Sequence, residues 1–159
     1  MSSKSHLAAI ALGSNLGDRE VSLNAALESL RDFGDLIAVS SFHDTAPVGY
    51  LDQPRFLNAA CLLETEFTPQ ELMAALLEIE RSLGRDRSTS PPKGPRTLDL
   101  DLLLYDHLVL DSPALKLPHP AMHQRIFVLA PLAEIAPQMQ HPVLHKTIAQ
   151  LLSLIAHNS

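Results

Sequence analysis

Residues 97–105 read Thr-Leu-Asp-Leu-Asp-Leu-Leu-Leu-Tyr. Every even position from 98 to 104 is leucine, whereas two of the odd positions are aspartate. Such alternation is typical of a β-strand with one buried face, because successive side chains point to opposite sides. The sequence therefore predicts a strand whose even-numbered leucines are buried together and whose aspartates, Asp99 and Asp101, project from the opposite face.

The segments around this strand follow a recognisable order. The predicted elements before it are strands at 6–12, 36–42 and 57–67 and helices that begin after Asp18 and after Thr68. The resulting order, β-α-β-β-α-β, is that of the ferredoxin-like α+β sandwich, with a mainly antiparallel sheet and helices packed on one face. Helices near 123–136 and 145–156 would be extra C-terminal elements.

The second helix has the clearest signals of start and orientation. Thr68 and Glu71 form a capping-box pattern, and Pro69 takes the first helical position. A repeat of 3.6 residues predicts one buried face, made of Leu72, Leu76, Ile79 and Leu83.

Composition limits the class of protein. A chain of 159 residues, 46% hydrophobic and 19% charged, fits a single soluble domain over 1–159. It contains no run of about 18 apolar residues, and its first residues are polar, which argues against a membrane span or a secretory signal. One cysteine, Cys61, favours the cytoplasm. The net charge of −6 argues against nucleic-acid or anionic-membrane binding.

The two aspartates of the last strand would lie about 6–7 Å apart along the chain. Two carboxylates on one surface repel each other unless a cation lies between them. Mg²⁺ takes one or two carboxylates and completes its octahedron with water and phosphate oxygens. The alternative is a solvated acidic face on an edge strand, although aspartate is a poor strand former.

A basic segment precedes the aspartates. Five of the chain's 12 basic residues lie between positions 81 and 96, against the single acid Asp86. Arg96 could clamp a phosphate bidentately beside a metal ion, with Arg85, Arg87 and Lys93 as further counter-charges. Together these groups suit phosphoryl transfer, but the segment could also be a solvated basic loop.

A second group of residues could bind the molecule that accepts the phosphoryl group. Asn58 should share the face of the aspartates, and its amide suits the edge of a heterocycle. Phe56 and Phe127 could stack on a ring, although phenylalanine is more often part of a core. His119 and Arg125 could reach a triphosphate, or could be ordinary surface residues.

Four motifs make the chain resemble the 6-hydroxymethyl-7,8-dihydropterin pyrophosphokinases. These folate-pathway enzymes move pyrophosphate from ATP to the pterin hydroxymethyl group and leave AMP. The motifs are Ala-Leu-Gly-Ser-Asn-Leu-Gly at 11–17, Asp-Gln-Pro-Arg-Phe-Leu-Asn-Ala-Ala at 52–60, Gly-Pro-Arg-Thr-Leu-Asp-Leu-Asp-Leu-Leu at 94–103 and Leu-Pro-His-Pro at 117–120.

The resemblance implies a role for each matching residue. Asp99 and Asp101 would bind two Mg²⁺ ions that bridge ATP to the pterin hydroxyl, and they would form the catalytic group with Arg85 and Arg96. The remaining nucleotide contacts would come from Glu80, Arg87, Leu102, Lys116, His119 and Arg125. The pterin would be held by Thr45, by the backbone of Val48, and by Phe56, Asn58, Asp99 and Phe127. The substrates would be this pterin and ATP, and the protein would be a monomer, with a dimer as the alternative.

Two other functions stay open on the sequence alone. A ferredoxin-like module could bind a nucleotide or metabolite without catalysis, but it would need no aspartate pair beside Arg96. A nucleotidyltransferase would release pyrophosphate rather than AMP. The chain also departs from the family, since Pro92-Lys93 stands where many members carry Arg-Trp.

Overall fold

The computed structural model describes residues 5–15, 18–45, 55–84 and 98–158. The elements, in chain order, are β1 (His6–Ser14), α1 (Arg19–Leu30), β2 (Asp35–Val39), β3 (His43–Thr45), β4 (Phe56–Thr65), α2 (Pro69–Ile79), β5 (Asp99–Tyr105), β6 (Leu110–Asp111), β7 (Lys116–Leu117), α3 (Ile126–Ile135) and α4 (Ile148–Asn158).

The main sheet is antiparallel throughout its described strands. Its order is β2-β4-β1-β5. β2 and β3 both pair with the same edge of β4, β2 with its C-terminal half and β3 with its first three residues. The strands alternate with α1 and α2 in the predicted order, so the ferredoxin-like α+β fold is confirmed. The strand predicted at 36–42 ends at Val39, and the short β3 that follows it was not predicted. The strand that carries the aspartates is an edge strand of this described sheet.

Both predicted helix starts are confirmed. The Asp18 carboxylate accepts a hydrogen bond from the Val21 backbone N–H at 3.1 Å. Thr68 and Glu71 form the reciprocal capping box, in which each side chain accepts from the other residue's backbone N–H. These caps satisfy N–H groups that have no partner inside a helix.

The two faces of the sheet are covered by different helices. α1 and α2 pack their buried residues against one face, together with Leu98, which precedes β5, and Leu100 and Leu102 of β5. The C-terminal helices α3 and α4 cover the opposite face over a second apolar cluster. The extra C-terminal elements therefore form a third layer, and the aspartates face this side.

The structure also corrects two details of the predicted apolar pattern. The register of β1 against β5 shifts between Ala9 and Ile10, and this bulge places Leu103 and Leu104 together in the cluster under α3 and α4. Leu104 was therefore wrongly predicted to share the face of Leu98. Leu83 is 38% exposed because residues 80–84 form a π-helical turn, which ends the 3.6-residue repeat.

Among the described residues, no helix has the length and apolar character needed to cross a membrane.

Candidate active site

A pocket of about 670 Å³ opens on the sheet face that α3 and α4 cover. β1, β3, β4 and β5 supply its floor and one wall, and the start of α3 supplies another. Seven of the residues predicted for the site line this pocket: Thr45, Phe56, Asn58, Asp99, Asp101, Arg125 and Phe127. The fold thus brings together residues that lie up to 82 positions apart, from Thr45 to Phe127.

Three residues cross the floor of the pocket side by side. Gly13 of the central strand pairs with Asn58 of β4 on one side and with Asp99 of β5 on the other. Since neighbouring strands lie about 4.8 Å apart, the Cα atoms of Asn58 and Asp99 are about 10 Å apart. The amide and the nearer carboxylate therefore face one compact ligand-sized space.

The amide of Asn58 is held in one orientation. The residue is 7% exposed, and its Nδ2 donates a hydrogen bond of 2.7 Å to the Thr45 hydroxyl. A Cβ atom at Gly13 would lie 3.1 Å from Asn58 Oδ1, so the absence of a side chain there leaves room for the amide oxygen. Asn58 thus presents fixed polar atoms at the pocket edge.

Asp99 and Asp101 are half-buried residues of the same strand face, and both line the pocket. Across the part of the chain that the structure describes, no group of three or more His, Cys, Asp or Glu side chains could hold a metal ion. A cation at this pair would need further ligands, and the two carboxylates match Mg²⁺, which takes its other ligands from water and phosphate oxygens.

The opposite wall combines an aromatic ring with a positive charge. The Arg125 guanidinium carbon lies 5.9 Å from the centroid of the Phe127 ring, within the range of a cation–π contact. Arg125 also stands at the N-terminus of α3, where the helix dipole favours anions. This wall therefore suits a ligand that is both aromatic and anionic.

His119 adds a neutral hydrogen-bond donor beside this wall. Burial lowers the pKa of its imidazole, and the Arg125 charge lowers it further, although the Asp101 carboxylate acts in the opposite direction. Its Nδ1 accepts a bond of 3.2 Å from the Ala121 backbone N–H, so the proton of the neutral ring is on Nε2. His119 can therefore donate to an oxygen without carrying a charge.

Comparison with known proteins shows the family of this chain. The family model described as 7,8-dihydro-6-hydroxymethylpterin-pyrophosphokinase matches residues 9–137. The chain belongs to this family. One relative is the 2-amino-4-hydroxy-6-hydroxymethyldihydropteridine pyrophosphokinase from Bacillus subtilis. It is 46% identical over 137 residues, which are 85% of this chain and 81% of that protein. The enzyme of the same name from Pseudomonas aeruginosa is 44% identical over 135 residues, 84% of this chain and 82% of that one.

A solved structure shows the same fold in a longer protein. The crystal structure of HPPK-DHPS from Plasmodium falciparum superposes on 99% of this chain with a TM-score of 0.79 at 16% identity. This chain spans 45% of that protein. The predicted family and the predicted enzyme class, a pyrophosphokinase of folate biosynthesis, are confirmed by the sequence matches.

Four residues predicted to contact the nucleotide do not line the pocket: His119, described above, and Glu80, Leu102 and Lys116. Glu80 is buried, and its carboxylate accepts a hydrogen bond of 2.7 Å from the Leu100 backbone N–H. The Leu102 side chain is packed in the core of the α1 and α2 face, which leaves only its backbone for a ligand. Lys116 forms an ion pair with Asp111 in the β6–β7 hairpin.

Four predicted residues of the family site lie outside the described part of the chain. They are Val48 in the predicted pterin contact and the basic residues Arg85, Arg87 and Arg96. Their predicted roles stay predictions.

Several residues that line the pocket were not predicted from the sequence. Gly13 follows Ala9 and Ala11 on the same face of the central strand, and these small residues leave space above the sheet. Small residues at alternate positions of a strand indicate a groove above the sheet, and this pattern is present in the sequence. Gln124 and, from the C-terminal helix, Ile155 also line the pocket, and no periodicity in the sequence pointed to them.

Proposed function

We propose that this protein transfers pyrophosphate from ATP to the hydroxymethyl group of 6-hydroxymethyl-7,8-dihydropterin and releases AMP. The observation that carries the proposal is the row Asn58–Gly13–Asp99 across the pocket floor. It sets an amide that can bind the edge of a heterocycle beside a carboxylate pair that can hold metal-bound phosphates. A non-catalytic binding module would not need the carboxylate pair.

The pterin would occupy the side of the pocket next to Asn58. A pterin edge carries both donors and acceptors, and an amide offers both in return. The rings of Phe56 and Phe127 line the same pocket and offer faces on which the bicyclic ring can stack. Because Asn58 is buried, a ligand that failed to pair with it would leave a polar group unsatisfied, which favours the correct heterocycle.

Asp99 and Asp101 would hold Mg²⁺ together with the phosphates of ATP. The bound metal would neutralise the charge that develops on the transferred group. The pterin hydroxyl oxygen forms a bond to the β-phosphorus, and the bond between that phosphorus and the oxygen bridging it to the α-phosphate breaks. AMP leaves with the bridging oxygen, and the hydroxyl proton is released to solvent.

The remaining contacts to ATP would come from the side of β5 and α3. Arg125 and the Nε2–H of His119 supply one charged and one neutral donor for phosphate oxygens. The Leu100 N–H points away from β1, toward Glu80, and Leu102, two residues on, has the same orientation. The backbone of Leu102 can therefore pair with the adenine edge, and the sequence assigns Arg85, Arg87, Arg96 and Lys116 as further cations.

That the protein acts as a monomer stays a prediction. The buried Cys61, whose thiol pKa is raised to about 12 by burial, is an unreactive thiol and fits the reducing cytoplasm.

The proposal predicts a defined stoichiometry. With ATP, Mg²⁺ and hydroxymethyldihydropterin, the protein should form one AMP for each pterin consumed, and chelation of the metal should stop the reaction. Chromatography of the nucleotides and pterins measures both. Formation of ADP, or turnover that survives chelation, would contradict the proposal. Omission of the pterin is the control, and it should leave ATP intact.

A further inference from the structure

Glu134 joins two walls of the pocket from outside it. Its carboxylate accepts hydrogen bonds from the Ser41 backbone N–H at 2.7 Å and from the Ser41 hydroxyl at 2.8 Å. The Nε2 atom of His43 lies 2.9 Å from the same carboxylate. One side chain of α3 is thus bonded to the start of β3, across more than 90 positions of the sequence.

Each of the two joined elements carries a pocket residue. Thr45 lies two positions after His43 on the same face of β3, and it holds the Asn58 amide. Phe127 lies seven positions before Glu134, which is two helical turns, or about 10 Å, along the same face of α3. The distance between the polar wall at Thr45 and the aromatic wall at Phe127 therefore depends on how α3 is attached to β3.

The attachment consists of three hydrogen bonds near the surface. The Glu134 side chain is 40% exposed and that of His43 30% exposed, so water competes with the contact. The hydrogen bonds from His43 and from Ser41 nevertheless lower the pKa of the Glu134 carboxyl to about 2, and the carboxylate is therefore ionised at neutral pH. Charge-assisted hydrogen bonds of this kind are about twice as strong as neutral ones.

We infer that Glu134 is a positioning residue that sets the width of the pterin slot between Thr45 and Phe127. It touches neither substrate. The inference rests on the proposed function, because it assigns the pterin to this slot. It requires that loss of the carboxylate weakens pterin binding far more than ATP binding, because Arg125 is the only proposed ATP contact at α3.

The test compares Glu134→Ala and Glu134→Gln with the parent. Glu134→Ala should raise the KM for the pterin about tenfold and change the KM for ATP and kcat by less than about twofold. Glu134→Gln should recover much of the loss, because its amide can still accept from Ser41 and donate to His43. Glu28→Ala, which removes a carboxylate with 79% exposure on α1, is the matched control and should change neither constant.

Direct pterin binding separates the outcomes. Fluorescence titration with the pterin and a non-hydrolysable ATP analogue, well below each variant's melting temperature, gives a Kd without turnover. An unchanged pterin Kd in Glu134→Ala, or equal losses for pterin and ATP, would overturn the inference and indicate a role in stability alone. A parent that binds pterin but forms no AMP would instead contradict the proposed function and leave the slot assignment standing.

Discussion

Asp99→Ala should lower pyrophosphoryl transfer roughly a thousandfold or more while leaving the folded chain at least as stable as the parent. The loss follows from removing one of two carboxylates that would hold the metal, since metal stabilisation of transition-state charge contributes several kcal/mol. Stability should be preserved because Asp99 and Asp101 are half-buried like charges on one strand face, and aspartate is a poor strand former. Turnover and thermal unfolding are measured on the same preparation.

The chain offers a matched control for this variant. Asp35→Ala removes an exposed aspartate from β2, at the opposite edge of the same sheet, and should leave turnover unchanged. A fall of many degrees in the melting temperature of Asp99→Ala would contradict the assignment, because it would show that the carboxylate supports the fold.

Asn58→Leu should lower kcat/KM for the pterin about a hundredfold. Leucine has a similar size but cannot bind the heterocycle edge, and an unpaired buried polar group costs about 1–3 kcal/mol. The substitution also leaves the Thr45 hydroxyl without the 2.7 Å bond that it accepts from Asn58. The KM for ATP should stay within about twofold of the parent value, and steady-state kinetics with each substrate varied in turn measures both.

Thr65→Val is the control for a polar group lost from the same strand. Thr65 is buried at the other end of β4, where its hydroxyl donates to the Phe33 carbonyl at 2.6 Å. This variant should be less stable than the parent but should bind the pterin normally. If Asn58→Leu kept the parent's pterin KM, the amide would not be part of the pterin site.

Much of the fold follows from local rules that the sequence displays. Asp18 and Thr68 mark helix starts because their side chains satisfy backbone N–H groups nearby in the chain. The alternation in β4 and in the first half of β5 placed Asn58 and Asp99 on one face, and the structure confirms this. These features depend on short-range periodicity, which a single sequence contains.

The errors arose where tertiary contacts override periodicity. The bulge in β5 turns Leu104 toward α3 and α4, and nothing in a run of three leucines shows where the register shifts. The π-helical turn after Ile79 exposes Leu83 and leaves Glu80 bonded to Leu100, an arrangement that depends on β5 being close. Ile155 and Glu134 were missed for the same reason, since their partners lie far away in the sequence.

The family resemblance and the geometry supplied different parts of the site. Thr45 was assigned through the family resemblance alone, whereas Phe127 and Arg125 were candidates from the residues themselves, and the structure places all three on one pocket. Gly13 had no meaning as an isolated glycine, but its pairing with both Asn58 and Asp99 makes it the centre of the pocket floor. The importance of a small residue is visible only when its neighbours are known.

The fate of labelled phosphates in ATP shows which bond of ATP the reaction breaks. When ATP labelled at the β-phosphate reacts with the pterin, we expect the label of each consumed ATP in the pterin product. With the label at the α-phosphate, we expect it in AMP alone. Label from the α-phosphate in the pterin product would show nucleotidyl transfer, and β-label retained in ADP would show transfer of a single phosphate. Either result would contradict pyrophosphoryl transfer at the Asp99–Asp101 site.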